Sequence, residues 1–154
     1  MSQPVKPLGL GFGLLGTSNV APISDAQAEA MFAAAWAMGL RRFDTAPLYG
    51  GGLSEERLGR LLRGVPRADY LLSSKVGRYR DYAARVSNPK ANPGDWRDYS
   101  RDATLRSVEQ SLTRLGTDRL DIAFVHDCDD DPGAALDGAL PALAELKAQG
   151  VVGA

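Results

Sequence analysis

The stretch Arg42-Phe43-Asp44-Thr45-Ala46-Pro47-Leu48-Tyr49-Gly50-Gly51-Gly52-Leu53-Ser54-Glu55 runs from a short apolar segment ending in Asp44, through a Pro- and Gly-rich loop carrying Tyr49, into a helix start. Ser54 is placed to cap the backbone N–H groups that follow, and Glu55 and Glu56 suit the positive end of a helix dipole. An acid at the C-terminal end of a strand, with a phenol a few residues on in the loop, is how a parallel α/β barrel carries its chemistry.

Two later residues fall in equivalent places. Lys75 ends Tyr70-Leu71-Leu72-Ser73-Ser74-Lys75, and His126 ends Leu120-Asp121-Ile122-Ala123-Phe124-Val125-His126. Successive predicted strands thus each end in a titratable group, where an interior barrel layer is normally filled by Val, Ile or Leu. The pattern points to a site.

Upstream, Leu8 to Leu15 is Gly-rich and apolar. Gly11-Phe12-Gly13-Leu14-Leu15-Gly16 matches G-x-G-x-x-G, but a dinucleotide turn of that kind opens directly into a helix. Here Thr17-Ser18-Asn19-Val20-Ala21-Pro22 intervenes. The segment is therefore read as a first barrel strand, with Gly allowing a ligand close to the backbone. Ser24-Asp25-Ala26-Gln27 is a capping-box start. The Ala-rich helix it opens runs to Met38, with Gly39 as its stop. Trp36, late in this helix, is expected to pack against the sheet.

Downstream, the second helix is expected from Glu55 to Arg63, ending at Gly64, and the third strand ends at Lys75. Gly77 to Ser100 is long for a connection, which past about 12–15 residues is uncommon unless functional or disordered. It holds Tyr79, Tyr82, Trp96 and Tyr99, with Pro89 and Pro93. Its aromatic planes either lie against a sugar ring and wall a pocket, or pack on one another as a surface excursion. Ser100 is placed to cap a third helix whose apolar positions Leu105, Val108, Leu112 and Leu115 keep helical spacing. Gly116 ends it, and the fourth strand leads to His126. Asp127 and Asp129 to Asp131 are read as a solvated, helix-capping loop rather than a metal site, since consecutive Asp residues cannot all face one ion. A fourth helix spans Leu136 to Gln149, with Pro141 tolerable only in a first turn. Gly150 to Ala154 reads as the approach to a fifth strand.

The expected fold is α/β, a parallel (β/α)8 TIM-barrel type with its first four βα units. A closed barrel takes about 250 residues, so 154 residues are expected to be its N-terminal half, truncated at the start of the fifth strand. Exposed strand edges would favour self-association of such halves. A net charge of −1 gives no reason to expect nucleic acid or a membrane surface as partner. No apolar run reaches the roughly 18 residues of a membrane span, and the N-terminus lacks a signal-peptide core. The single cysteine, Cys128, suits a reducing compartment, so a cytoplasmic setting is expected.

With these residues in place, the chain resembles the aldo-keto reductases from about Leu8 to Ala154. Asp44, Tyr49, Lys75 and His126 look like that family's Asp, Tyr, Lys and His, in the same order and at the same strand ends. The run from Asp44 to Glu55, with Val125-His126-Asp127, is most similar to the aldose 1-dehydrogenase branch. The resemblance implies NADP or NAD as cofactor and a sugar hemiacetal or small aldehyde as substrate. Tyr49 would donate and accept the proton. Lys75 would stabilise its phenolate, since an ammonium beside a phenol favours the charged form. Asp44 would hold Lys75, and His126 would orient the substrate oxygen. Tyr49, His126 and Trp96 would contact substrate. The backbone of Gly13 and Leu14 would lie near the nicotinamide, with Asp44 beneath the ribose. Many relatives have Gly-Thr where this chain has Gly13-Leu14. The competing readings are a catalytically silent half-barrel unit without a complete cofactor site, and a metal-dependent barrel hydrolase using Asp44, His126 and Asp127. The hydrolase reading lacks a second strand-end His.

Overall fold

The computed structural model describes residues 8–15, 23–80 and 94–154. In chain order its elements are β1 (Leu10–Gly11), α1 (Asp25–Ala37), β2 (Arg42–Asp44), α2 (Leu53–Leu61), β3 (Leu71–Val76), β4 (Arg78–Arg80), β5 (Asp95–Arg97), α3 (Arg101–Leu115), β6 (Ile122–Val125) and α4 (Leu140–Ala148). β1, β2, β3 and β6 form one sheet in that order. Every pairing in it is parallel, with Gly11 beside Asp44, Asp44 beside Ser73, and Lys75 beside Phe124. Parallel neighbours need a crossover rather than a hairpin, and α1, α2 and α3 occupy the crossovers. This is the α/β architecture expected from the strand and helix order.

Burial alternates along β3: Leu72, Ser74 and Val76 are buried, while Ser73 and Lys75 on the other face are half-buried. Leu72 belongs to a core cluster shared with α1 and α2, and Val76 to a second one shared with α3 and α4. Phe43 of β2 is the hub of the first, at 1% exposure. The rings of Phe12, Phe32, Trp36 and Tyr70 surround it at 5.3–6.5 Å between centroids. Fully burying a side chain of this size contributes roughly 1.5–3 kcal/mol. Trp36 thus packs against the sheet as expected, with the Arg41 guanidinium 3.5 Å over its ring.

Local chemistry sets most of the boundaries. Ser24 caps α1 in a complete capping box with Gln27, and Ser100 caps α3 by accepting from the Ala103 N–H. Gly39 and Gly116 follow their helices with positive φ, the left-handed stop that lacks a Cβ penalty.

Several boundaries differ from expectation. The first strand is short: β1 covers Leu10–Gly11, and Gly13–Leu15 forms a 3₁₀ turn. α2 starts one residue ahead of Ser54, with Gly52 at the N-cap in a left-handed conformation at φ 92°. Consecutive glycines at 50–52 all take positive φ, so the backbone itself makes the turn and no side-chain cap is needed. Ser54 is instead buried inside the helix, sharing a 2.8 Å hydrogen bond with Thr45 and donating to the Phe12 carbonyl. It ties the loop to the end of β1. The fourth helix starts earlier than expected and changes its winding along its length. A helical turn at Pro132–Ala134 leads into a π-helical stretch, Ala135–Ala139, before α4 begins. Pro141 therefore lies inside a continuous helical run rather than in a free first turn, directly after the π-helical stretch, where the hydrogen-bond ladder is already shifted. The Gly77 to Ser100 connection contains an antiparallel hairpin, β4 with β5, pairing Tyr79 with Trp96. Its Tyr82, Pro89 and Pro93 lie outside the described residues. At the C-terminal end, Val152 makes a parallel bridge to Leu120, and the Ala123 N–H donates to the Ala154 carbonyl at 2.8 Å.

The contact of α2 with α3 depends on Gly59. A Cβ there would lie 2.5 Å from the Arg114 carbonyl oxygen and 2.8 Å from Leu115 Cα. Alanine is the better helix former by about 1 kcal/mol, but the rigid backbone opposite cannot yield. Gly59→Ala is expected to destabilise by roughly 1–3 kcal/mol through overpacking. The midpoint of denaturant unfolding measures it, and an unchanged or raised midpoint would mean the helices are further apart than described.

Candidate active site

The C-terminal ends of β2, β3 and β6 bring Asp44, Lys75 and His126 to one edge of the sheet, and the loop after β2 adds Tyr49. Register does much of this: Asp44 lies beside Ser73, two residues ahead of Lys75 on the same face of β3. Lys75 Nζ donates to Asp44 Oδ2 at 2.5 Å and to the Thr45 carbonyl at 2.8 Å. Ser73 Oγ donates to the other oxygen, Asp44 Oδ1, at 2.7 Å. With the Lys75 side chain only 14% exposed, this pair is partly desolvated and its partners fix its geometry.

Tyr49 bridges the ion pair and the imidazole. Its ring centroid is 4.9 Å from Lys75 Nζ and 5.8 Å from the His126 ring, which meets it edge-on at 88°. On its far side the ring abuts Gly13, where a Cβ would make ordinary contact at 3.8 Å. The Phe12 N–H donates to the Asp44 carbonyl at 2.7 Å, which brings the end of β1 to the same edge. Leu14 lies in the same 3₁₀ turn as Gly13.

His126 is buried. Burial is the main reason its pKa falls below the ordinary value, reinforced by the Lys75 and Arg78 cations and opposed by Asp127 and Asp44. At neutral pH the imidazole is therefore uncharged, with one N–H to donate and one nitrogen to accept. Its Nδ1 is buried with no hydrogen-bond partner among the described residues.

A second layer anchors the strand end that carries His126. The Tyr99 hydroxyl lies 2.9 and 2.8 Å from the His126 and Asp127 carbonyls and shares its single proton between them. Asp127 takes a left-handed conformation, φ 48°, and Arg78 pairs it to Asp95 on β5. Asp131 accepts from the Ala134 N–H, so that aspartate does cap a helical turn. Tyr99, expected among the pocket aromatics or a self-packed excursion, turns inward at 4% exposure. Trp96 stays half-exposed, its ring 5.9 Å from Tyr79. It faces a neighbouring cavity lined by Pro47 and Gly51 but by none of Asp44, Tyr49, Lys75 or His126.

Sequence reasoning did not anticipate the support behind Lys75. Glu55, read only as suiting the positive end of the helix dipole, is 0% exposed. It accepts from Ser74 Oγ at 2.6 Å and from Arg114 Nε at 2.7 Å. The long sequence separation of these partners hides the network from any local pattern.

Comparisons with known proteins agree on one family. Residues 7–154 match the model described as the Aldo/keto reductase family. The chain is 39% identical to D-threo-aldose 1-dehydrogenase of Pseudomonas sp, over 93% of this chain and 47% of that protein. Among solved structures it superposes on the holo form of an aldo-keto reductase from Bacillus halodurans with TM-score 0.76 and 34% identity, covering 96% of this chain and 44% of that one. An aldo-keto reductase from Klebsiella pneumoniae in complex with NADPH gives TM-score 0.68 at 29% identity, covering 96% and 43%. The chain thus spans about half the length of the relatives it matches.

Proposed function

This chain belongs to the aldo/keto reductase family, and from that premise we propose that the protein carrying it is a nicotinamide-dependent oxidoreductase acting on a sugar hemiacetal or small aldehyde. The observation that carries the reading is the meeting of Tyr49, the Lys75–Asp44 ion pair and His126 at one edge of a parallel sheet. Similarity to an aldose dehydrogenase supports the sugar as substrate. The NADPH complex of a structural relative supports NADP, with NAD as the alternative.

The residues present fit such a cofactor. Gly13 places bare backbone against the Tyr49 ring with no side chain between, and the backbone of Gly13 and Leu14, with Asp44, would hold the nicotinamide end. Such a cofactor would supply the chemistry of hydride exchange with the substrate carbon. The proton and the orientation of the substrate oxygen fall to residues of this chain. In the oxidising direction the Tyr49 phenolate takes the proton from the substrate hydroxyl as the carbon gives up its hydride; in reduction the Tyr49 hydroxyl returns it. Lys75, close to the ring, stabilises the phenolate, and Asp44 keeps the ammonium in place. The uncharged His126 donates to the substrate oxygen, and with the Tyr49 hydroxyl makes a two-donor site for the charge that develops there. The lone Cys128 and the proposed cofactor are in keeping with a cytoplasmic setting.

The test is an assay of the intact protein with a panel of aldoses and short aldehydes, each with NADP and NAD, following nicotinamide absorbance. Turnover of an aldose with either cofactor is expected. Absence of both turnover and saturable cofactor binding would sink the reading in favour of a catalytically silent barrel unit.

A further inference from the structure

Beside the proposed active site lies a second cavity of about 350 Å³, between the β4–β5 hairpin and α3. Its rim includes Pro47 and Gly51, which flank Tyr49 in sequence, but the four residues of the proposed site do not line it. Its walls carry the guanidinium-bearing Arg80, Arg106 and Arg114 against one carboxylate, Asp98, together with Trp96 and Tyr79. Asp98 is engaged by the Ser100 N–H, and Arg114 commits its Nε to Glu55 behind the cavity wall. Arg80 Nε is buried with no hydrogen-bond partner among the described residues, an arrangement that is costly until an acceptor arrives.

We propose that this cavity binds a small organic anion, a phosphoryl- or carboxylate-bearing metabolite whose charged group sits among Arg80, Arg106 and Arg114 and whose body lies against Trp96. With Glu55 balancing Arg114, Arg80 and Arg106 against Asp98 still leave the walls net positive, which favours an anion over a neutral polyol. Guanidinium forks match the paired oxygens of phosphate and carboxylate in a way that a point-charge ammonium does not. Trp96, half-exposed, offers an aromatic surface on the lining, and the volume is at the small end of the range that holds small-molecule ligands.

Calorimetric titration of the intact protein with inorganic phosphate and, separately, with malonate tests this at constant ionic strength set by sodium chloride. Saturable binding of one or both anions is expected, and which one binds names the ligand class. Arg106→Ala, at an exposed helix position, should weaken it by about tenfold or more, roughly the loss of one charge-assisted contact. Arg106→Lys, which keeps the charge and loses the fork, should fall between. Circular dichroism establishes that each variant is folded. No saturable heat with either anion, or undiminished binding by a folded Arg80→Ala, Arg106→Ala double variant, would overturn the proposal. The readout does not involve nicotinamide turnover, so it fails or succeeds independently of the enzymatic reading.

Discussion

Tyr49→Phe is expected to lower turnover by about 10²–10⁴-fold, the usual contribution of a positioned acid–base group, while leaving cofactor affinity almost unchanged. In barrier terms that is roughly 3–5 kcal/mol. The substitution removes one oxygen and keeps the ring. His126 would still face the ring edge-on, and the Lys75 ammonium would keep its 4.9 Å approach. Misfolding is therefore a poor explanation for any loss. What disappears, in the proposed mechanism, is the group that takes or gives the proton on the substrate oxygen. Steady-state kinetics with a titration of nicotinamide cofactor separate the two effects: kcat should collapse while the cofactor dissociation constant stays within a few fold. Turnover retained within tenfold would remove Tyr49 from the proton's path and leave His126 as the group to examine.

The second large effect concerns stability. Arg114→Ala is expected to cost about 3–5 kcal/mol, because it leaves a buried carboxylate without its counter-charge. Glu55 is 0% exposed and Arg114 only 22% exposed, with 2.7 Å between Glu55 Oε2 and Arg114 Nε. A surface pair of the same geometry would be worth about 0–1 kcal/mol, so burial decides the magnitude. Adding Glu55→Gln to Arg114→Ala should recover much of the loss, since the amide needs no counter-ion and can still accept from Ser74 Oγ. Denaturant unfolding of the two single variants and the double variant closes the cycle. A loss below 1 kcal/mol for Arg114→Ala, or a double variant as weak as the worse single one, would contradict a buried charge pair. Because Ser74 precedes Lys75 on β3, the same change is also expected to loosen the strand that presents the ammonium.

The amino-acid sequence by itself determined the repeat of strand and helix, the helix ends at Ser24, Gly39, Ser100 and Gly116, and the placement of Asp44, Lys75 and His126 at or beside strand ends. These follow from short-range rules: cap hydrogen bonds span three residues, a left-handed stop asks only for glycine, and apolar spacing reads the period directly. It also carried the family resemblance, because that motif is written in order along the chain. What tertiary structure alone decided lies between distant segments. Ser54 looked like a cap, but the glycines before it turn the chain unaided, and its hydroxyl was drawn to Phe12, 42 residues away. Glu55 was legible only as a helix-dipole partner, and α3 packing across α2 buried it against Arg114, 59 residues on. Tyr99 gave no local sign that its hydroxyl would hold the His126 strand end. The arginines of the second cavity come from a hairpin and a helix whose approach no spacing encodes. Local propensity acts through neighbours in the chain, whereas burial and charge pairing act through neighbours in space, and the latter exist only once the sheet has brought its crossovers together.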